Sequence, residues 1–456
     1  MSFFMRNKTA KGPNKRKVDE QQKGHGTKFT NKKKKFNELD NESIASSDEE
    51  YAEQNKRDDE LSNSSEDDHE TAQEKKLRLC KKRLEEMQEY ENDKAEFNEG
   101  AIAKRLREEY LEDKGKLRKT VADNYTGYDS FIYLKCKDHK QSITSICISS
   151  DGKYLFSGSK DGSIVKWSLD NNIKIKSIPG KGKLPDGIKT VVCLAVSTNG
   201  KFLVAGDIGT KLIKVFNAET MEFIKNLQGH RGYVTGLVFR KDTSTLYSAA
   251  DDRCVKVWNL DDMAYVESLF GHNMSITSID ALARERAITS GGFDNSIRVW
   301  KIVEESQLIF NDTGNFIEAV KLINEEYFLS AGDGNLCLWG SMKKKPLCTV
   351  LNAHGNDDKN GESRWITSIA TLINTDLVAS GSNNGTVKVW KCSNSFRSLN
   401  LLFEVNIIGF INSMVFTPDG MNLIVGVGKE PRLARWTTMR EANNRIVIIP
   451  FVKKIA

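Results

Sequence analysis

A seven-bladed, all-β propeller preceded by a charged arm is the fold class this sequence predicts, and three observations predict it. First, a histidine stands 28 residues before a tryptophan three times, in His139 to Trp167, His230 to Trp258 and His272 to Trp300. Inside each interval a serine and an aspartate fall ten and six residues before the Trp: Ser157 and Asp161, Ser248 and Asp252, Ser290 and Asp294. Four residue types in fixed order, at roughly 40 residues per copy, mark WD-type propeller blades of four strands each. Second, short apolar strands closing at Trp167, Phe216, Trp258, Trp300, Trp339, Trp390 and Trp436 give seven endings, hence seven blades. Third, composition changes near residue 130: residues 1–130 hold 28 Lys/Arg against 30 Asp/Glu, and residues 131–456 hold 40 against 32. A mildly basic domain thus follows a charge-segregated arm.

Each element has a chemical reason. Residues 1–69 are expected to be disordered, because residues 1–35 carry 12 basic against 2 acidic side chains and residues 36–70 carry 2 against 14, blocks that repel themselves and bury little. Lys15, Arg16, Lys17 and Lys32, Lys33, Lys34, Lys35 form two basic clusters spaced as a nuclear-localisation signal. Ser46, Ser47, Ser64 and Ser65 precede acidic residues and are candidate phosphorylation sites for an acidophilic kinase. Residues 70–122 form a charged helical segment: Thr71 to Glu74 has the form of a capping box, and Leu77, Cys80, Leu84 and Met87 make a narrow apolar stripe. A second helix, Ala101 to Asp113, places Ile102, Leu106 and Tyr110 on one side before Gly115. So thin a stripe is marginal alone, so the segment is expected to dock on the propeller or on a partner.

Residues 131–456 form the propeller. In each blade the histidine is expected to donate to the aspartate while the serine hydroxyl and the indole close a buried hydrogen-bond chain. With His139, His230, His272 and His354 at blade starts, and His25 and His69 in the arm, no propeller histidine remains as a general base. Blade two departs with Gly206, Thr210 and Phe216 at the Ser, Asp and Trp positions. Blade five keeps Asp333 and Trp339 but lacks the His, and blade six has Asn384 for Asp and an insertion from Gly355 to Glu362. Blade seven has lost the signature.

Ring closure leaves two candidate outer strands for blade seven, Phe131 to Cys136 or Arg445 to Phe451. Either brings Lys135, Lys137 and Lys140 near Arg432, Arg435, Arg440, Arg445, Lys453 and Lys454. The residue before the closing aromatic is Val or Leu in blades two to six, yet Lys166 in blade one and Arg435 in blade seven. Together with Lys429 in the turn 426–432, this makes Lys135, Lys137, Lys140, Lys166, Lys429, Arg432, Arg435 and Arg440 the candidate anion-binding set. The competing reading is that these long side chains reach past apolar surface to solvent.

Eight cysteines show no Cys-x-x-Cys pair and no histidine at ligand spacing, so no metal site is expected, and the thiols are expected free in a reducing compartment. No apolar run approaches the roughly 18 residues that span a bilayer, so no membrane association is expected.

The stretches Glu70 to Leu79, Val266 to His272, Glu305 to Leu308, Leu322 to Glu326, Gly409 to Ser413 and Arg432 to Trp436 closely resemble the family of U3 small nucleolar RNA-interacting WD-repeat proteins. The resemblance runs from about residue 70 to the C terminus; residues 1–69 match only in character. It implies a U3-specific subunit of a box C/D ribonucleoprotein. Such a subunit binds the box B/C region of U3 RNA together with the kink-turn-binding core protein, inside the small-subunit processome. It also implies a nuclear, nucleolar location and a role in early pre-ribosomal RNA processing. No short motif transfers individual RNA contacts. A net +8 over the propeller is modest for an RNA binder acting alone, which suggests a composite RNA and protein surface. Two other classes stand beside this reading. One is a protein-interaction propeller such as a ubiquitin-ligase substrate receptor, a class that often carries Trp-Asp-x-Arg where this chain has Trp-Ser-Leu-Asp or Trp-Asn-Leu-Asp. The other is an enzyme, for which no Gly-rich phosphate loop, nucleophile motif or cofactor signature is present.

Overall fold

The computed structural model describes residues 75–82, 85, 101–134, 137–180, 187–312, 314, 316–357, 361–393, 395–433 and 437–454. Residues 75–82 and 85 are helical with exposed side chains and belong to a unit separate from the propeller. The nuclear-localisation and phosphorylation candidates, the capping box, Lys135 and Arg435 lie outside the described residues.

Seven antiparallel sheets form the ring. Blade one is Ile143–Ile148, Tyr154–Ser159, Ile164–Ser168 and Ile173–Ile178, designated strands a to d from the axis outward. Blade four is Ser278–Ala281, Arg286–Ser290, Ser296–Lys301 and Ser306–Asn311. Alternation along strands a to c puts apolar side chains on both sheet faces, so each blade packs on both neighbours. The core is therefore seven clusters, one between each pair of blades. Phe216 sits between blades one and two, Trp258 between two and three, Trp300 between three and four, Trp339 between four and five, and Trp390 between five and six.

Blade seven closes the ring with both chain ends. Its strands are Phe410–Phe416, Asn422–Gly428 and Arg445–Lys453, and the outer strand comes from the N-terminal side as Tyr125–Tyr128 and Ile132–Leu134. The two candidate closing segments are thus not alternatives: one is strand c and the other strand d. This corrects the reading of Trp436 as a strand-c ending. Leu423 of strand b pairs with Ile449, as Leu155 pairs with Trp167 in blade one, so Ile449 fills the closing position and Ile448 precedes it. No cation occupies that slot in blade seven, and the parallel drawn between Lys166 and Arg435 falls with it.

The helix Ala101–Asp113 ends at Gly115, whose φ of +62° suits a residue without Cβ. The chain after it is laid across the a–b turns of successive blades. Glu112 pairs with Lys241 of blade three at 2.7 Å, and the Lys114 carbonyl accepts from Arg284 of blade four. Arg118 pairs with Glu326 of blade five at 2.7 Å while covering the Tyr327 ring at 4.6 Å. The Asp376 carboxylate of blade six accepts from the Val121 and Ala122 amides, and the Tyr125 hydroxyl donates to Gly420 of blade seven. Leu117, Ala122 and Tyr125 are buried along this strap, whereas Leu106 and Tyr110 are exposed. Residues 112–125 dock on the propeller through ion pairs and the strap, and Leu106 and Tyr110 of the helix take no part in it. Among the described residues no helix is long and apolar enough to cross a membrane.

Candidate functional site

On the face opposite the strap lie the b–c turns and the buried hydrogen-bond chains. In blade three His230 bridges Asp252 at 2.9 Å and the Ser248 hydroxyl at 2.8 Å, and the Trp258 indole donates to the same hydroxyl at 2.8 Å. Asp252 also accepts from the Arg231 and Cys254 amides. Burial raises the Asp252 pKa while these donors lower it further, leaving it at about 2. In blade one the chain has an extra link: His139 meets Ser157 and Ser163, each at 2.7 Å, and it is Ser163 that donates to Asp161. Trp167 donates to Ser157 at 2.8 Å. Blade six repeats this relay, with His354 between Ser380 and Thr386, and Thr386 donating to Asn384. The expected direct His-to-Asp bond is thus replaced in blades one and six by a bridge through the hydroxyl two positions after the turn Asp or Asn, where blade three has Cys254; blade four has Ser296 there and keeps the direct bond beside it.

Blade four corrects one assignment. His272 meets Asp294 at 2.7 Å, but its Nε2 and the Trp300 indole both meet Thr289, each at 2.8 Å. Ser290 instead meets Thr277 at 2.8 Å. The b–c turn is one residue longer here, so Thr289 pairs with Arg298 in the place where Ser248 pairs with Lys256. Blade two shifts the same way, with Ala205 rather than Gly206 opposite Lys214. In blade five Asp312, absent from the sequence reading, takes the histidine's place: Ser330 donates to it at 3.1 Å and Trp339 donates to Ser330 at 2.9 Å. Its position 27 residues before Trp339 was a usable signal. The described histidines are consumed by these chains, and no group of three metal-ligating side chains occurs among the described residues.

The cationic candidates separate into three groups. Lys137, Lys140 and Arg440 are exposed and Lys429 is half-buried at the seam of blades one and seven. The seam is closed by hydrogen bonds from Asn412 to the Ile143 carbonyl at 2.7 Å, from the Glu430 amide to Ser142 at 2.9 Å and from the Asn444 side-chain amide to the Lys140 carbonyl at 3.5 Å, while the Lys429 amide donates to Asn444 within blade seven at 2.9 Å. The Lys160 ammonium, only 3% exposed, pairs with Glu430 at 3.0 Å. Lys453 and Lys454 fall away from this group: a nine-residue strand carries the chain from Arg445 to the opposite face, where Lys454 donates to the Asn124 carbonyl.

Lys166 and Arg432 point inward. Lys166 is buried, donates to the Ala218 and Glu219 carbonyls of blade two at 3.0 and 3.1 Å, and lies 4.3 Å from the Tyr154 ring centroid. Burial pulls its pKa below that of an ordinary lysine. It braces two blades and offers nothing to a phosphate. Arg432 enters the axial channel, a space of about 590 Å³ lined by the seven inner strands.

The WD domain, G-beta repeat family matches residues 131–168, 221–259, 264–301 and 345–391. The human U3 small nucleolar RNA-interacting protein 2 is 49% identical over 392 residues, covering 84% of this chain and 82% of that protein. The chain belongs to that family. A solved structure described as that of U3-55K superposes with a TM-score of 0.68 at 44% identity, covering 71% of this chain and all of that one. The ribosomal RNA-processing protein 9 of Saccharomyces cerevisiae is 26% identical over 332 residues, 65% of this chain and 56% of that protein. As a member of the U3 small nucleolar RNA-interacting family, the chain has one face covered by the strap and an opposite face whose connections carry exposed cations, Lys137, Lys140 and Arg440 among them.

Proposed function

We propose that this chain is a non-catalytic scaffold subunit of the U3 small nucleolar ribonucleoprotein. In this role it binds the box B/C region of U3 RNA jointly with the kink-turn-binding core protein and other box C/D core proteins. The observation that carries the reading is the 49% identity across 82% of a human protein whose name states its interaction with this RNA. Kinship with an RNA-processing protein supports a role in early pre-rRNA processing and small-subunit ribosome biogenesis among small-subunit processome proteins, in the nucleolus. Lys137, Lys140, Lys429 and Arg440, with Lys135 and Arg435 on the same segments, are the proposed phosphate contacts; Lys166 and Arg432 are withdrawn from that role. Sequencing the RNA recovered with the tagged protein tests the reading, and enrichment of U3 RNA over other box C/D RNAs is the expected result. Lys15 to Lys17 and Lys32 to Lys35 are the proposed nuclear address, so a fluorescent fusion lacking residues 1–35 is expected to lose nuclear signal while staying folded.

A further inference from the structure

The b–c connection of blade seven, residues 429–444, is far longer than its counterparts at 160–163, 208–212, 251–253, 291–295, 333–335 and 383–385. Such a loop is expected to be mobile unless something holds it. Its ends are held at the seam by Asn444, Ser142, Lys160 and Asn412. Within it the Met439 amide donates to the Lys429 carbonyl and Ala442 is buried, and near its start one side chain reaches out to other blades. Arg432 reaches across the channel mouth to blades on the other side of the ring, donating to the Thr277 carbonyl of blade four at 3.1 Å and standing 3.8 Å from the Glu318 carboxylate of blade five.

The surroundings are built for this arrangement. Arg432's side chain is four-fifths covered, at 21% exposure, unlike the exposed Lys140 and Arg440. The other charges lining the channel pair elsewhere: Lys321 with Asp280 at 2.8 Å, and Lys241 with Glu112 on the strap at 2.7 Å. Glu318 is left facing the guanidinium. Enclosure by the ring raises its pKa and the nearby Arg432 draws it back, so each group limits the cost of enclosing the other.

We propose that Arg432 is a positioning residue, a tether that with Glu318 as its anchor fixes the 429–433 stretch at the channel mouth and so sets Lys429 in place for RNA. The last step rests on the RNA reading above; the tether does not.

Glu318→Gln in the full-length protein separates these ideas. It removes a negative charge, so on electrostatics alone RNA binding should tighten or stay the same. If Glu318 acts by anchoring this stretch, trypsin cleavage after Lys429 and Arg432 should rise about tenfold as it opens locally, at an unchanged melting temperature. U3 RNA affinity should fall about fivefold, as expected when binding-competent loop conformations are diluted. Swapping the pair, Arg432→Glu with Glu318→Arg, should restore protection, which a general loss of fold in the single variant would not allow. Unchanged cleavage in Glu318→Gln overturns the tether. Raised cleavage with unchanged RNA affinity keeps the tether and overturns the assignment of RNA to this loop.

Discussion

The Trp300 indole donates to Thr289 at 2.8 Å, although Ser290 next to it has the spacing that blades one and three use. Both hydroxyls are fully buried, so their energetic roles differ by partner and not by exposure. Thr289→Val keeps the volume but leaves the Trp300 and His272 nitrogens without their shared partner, at a cost of about 2 kcal/mol. Ser290→Ala removes one hydroxyl from Thr277, which still donates to the Ile317 carbonyl at 2.8 Å, and should cost less than about 1 kcal/mol. Urea midpoints of the two variants check this; an equal loss in both would restore the sequence register.

Asp252→Ala should destabilise more than Asn384→Ala. Asp252 accepts directly from His230 and from two backbone amides, so its loss strands three donors and should cost about 1–3 kcal/mol. Asn384 accepts from the amide and hydroxyl of Thr386, one link away from His354. Thermal melts of the two variants decide it, with Asp252→Ala expected to lie several degrees lower.

The difference between legible and illegible parts of this molecule is physical. The tetrad spacing is visible because indole, hydroxyl, imidazole and carboxylate must meet at fixed distances, and a blade is nearly the same length each time. A one-residue change in a turn breaks that arithmetic without breaking the hydrogen bonds, as at Thr289, and an unlike residue can do the same job, as Asp312 does in blade five. Blade seven was misread for a related reason: Trp436 has the look of a strand ending, whereas the position is filled by Ile449, an aliphatic residue with no signature. The fate of Lys166 and Arg432 was illegible because a cation in sequence carries no sign of whether it meets solvent or a neighbouring blade's carbonyl.

Acid should weaken the ring before carboxylates titrate. Burial pushes the His139 imidazole down to about 4 and His354 down to about 3, against 6.5 when unburied. The unfolded chain therefore binds protons first. The stabilisation from neutral, buried histidine is complete above pH 6.5 and drains as pH falls toward 4, at most about 3 kcal/mol for His139. Urea midpoints should drop between pH 7 and 5, and less steeply in His139→Asn. A flat profile in the wild type over that range would rule the assignment out.

Truncation should reveal the strap as part of the fold. A chain beginning at residue 101 keeps the strap and the whole of strand d of blade seven, and should melt like the full-length protein. One beginning at residue 131 loses the buried Leu117 and Tyr125 and half of that outer strand. At about 1.5–3 kcal/mol for each large apolar side chain, about 3–6 kcal/mol should go, enough to lower the melt by about 4–9 °C. Equal melting of the two truncations would mean that the strap adds nothing.

Charge reversal at the seam addresses the RNA itself. Lys137, Lys140 and Arg440 are exposed, so changing each to Glu should leave the fold intact. The cost of doing so appears in binding: each lost phosphate contact should remove roughly 0.7–0.9 from the slope of log affinity against log salt, and the triple variant should bind U3 RNA weakly at every salt concentration. Lys166→Met is the informative companion. Its ammonium is spent on the Ala218 and Glu219 carbonyls, so its loss should lower stability while leaving the salt slope at the wild-type value. Lys343, Lys344 and Lys345, exposed after the blade-five Trp, give a control of equal charge on a different blade. U3 RNA recovered with each variant across a salt series, after melts are matched, sets the outcomes apart. Loss of RNA in the blade-five variant with retention in the seam variant would put the contact surface elsewhere on the ring. Retention by both would point to recognition carried mainly by the core protein.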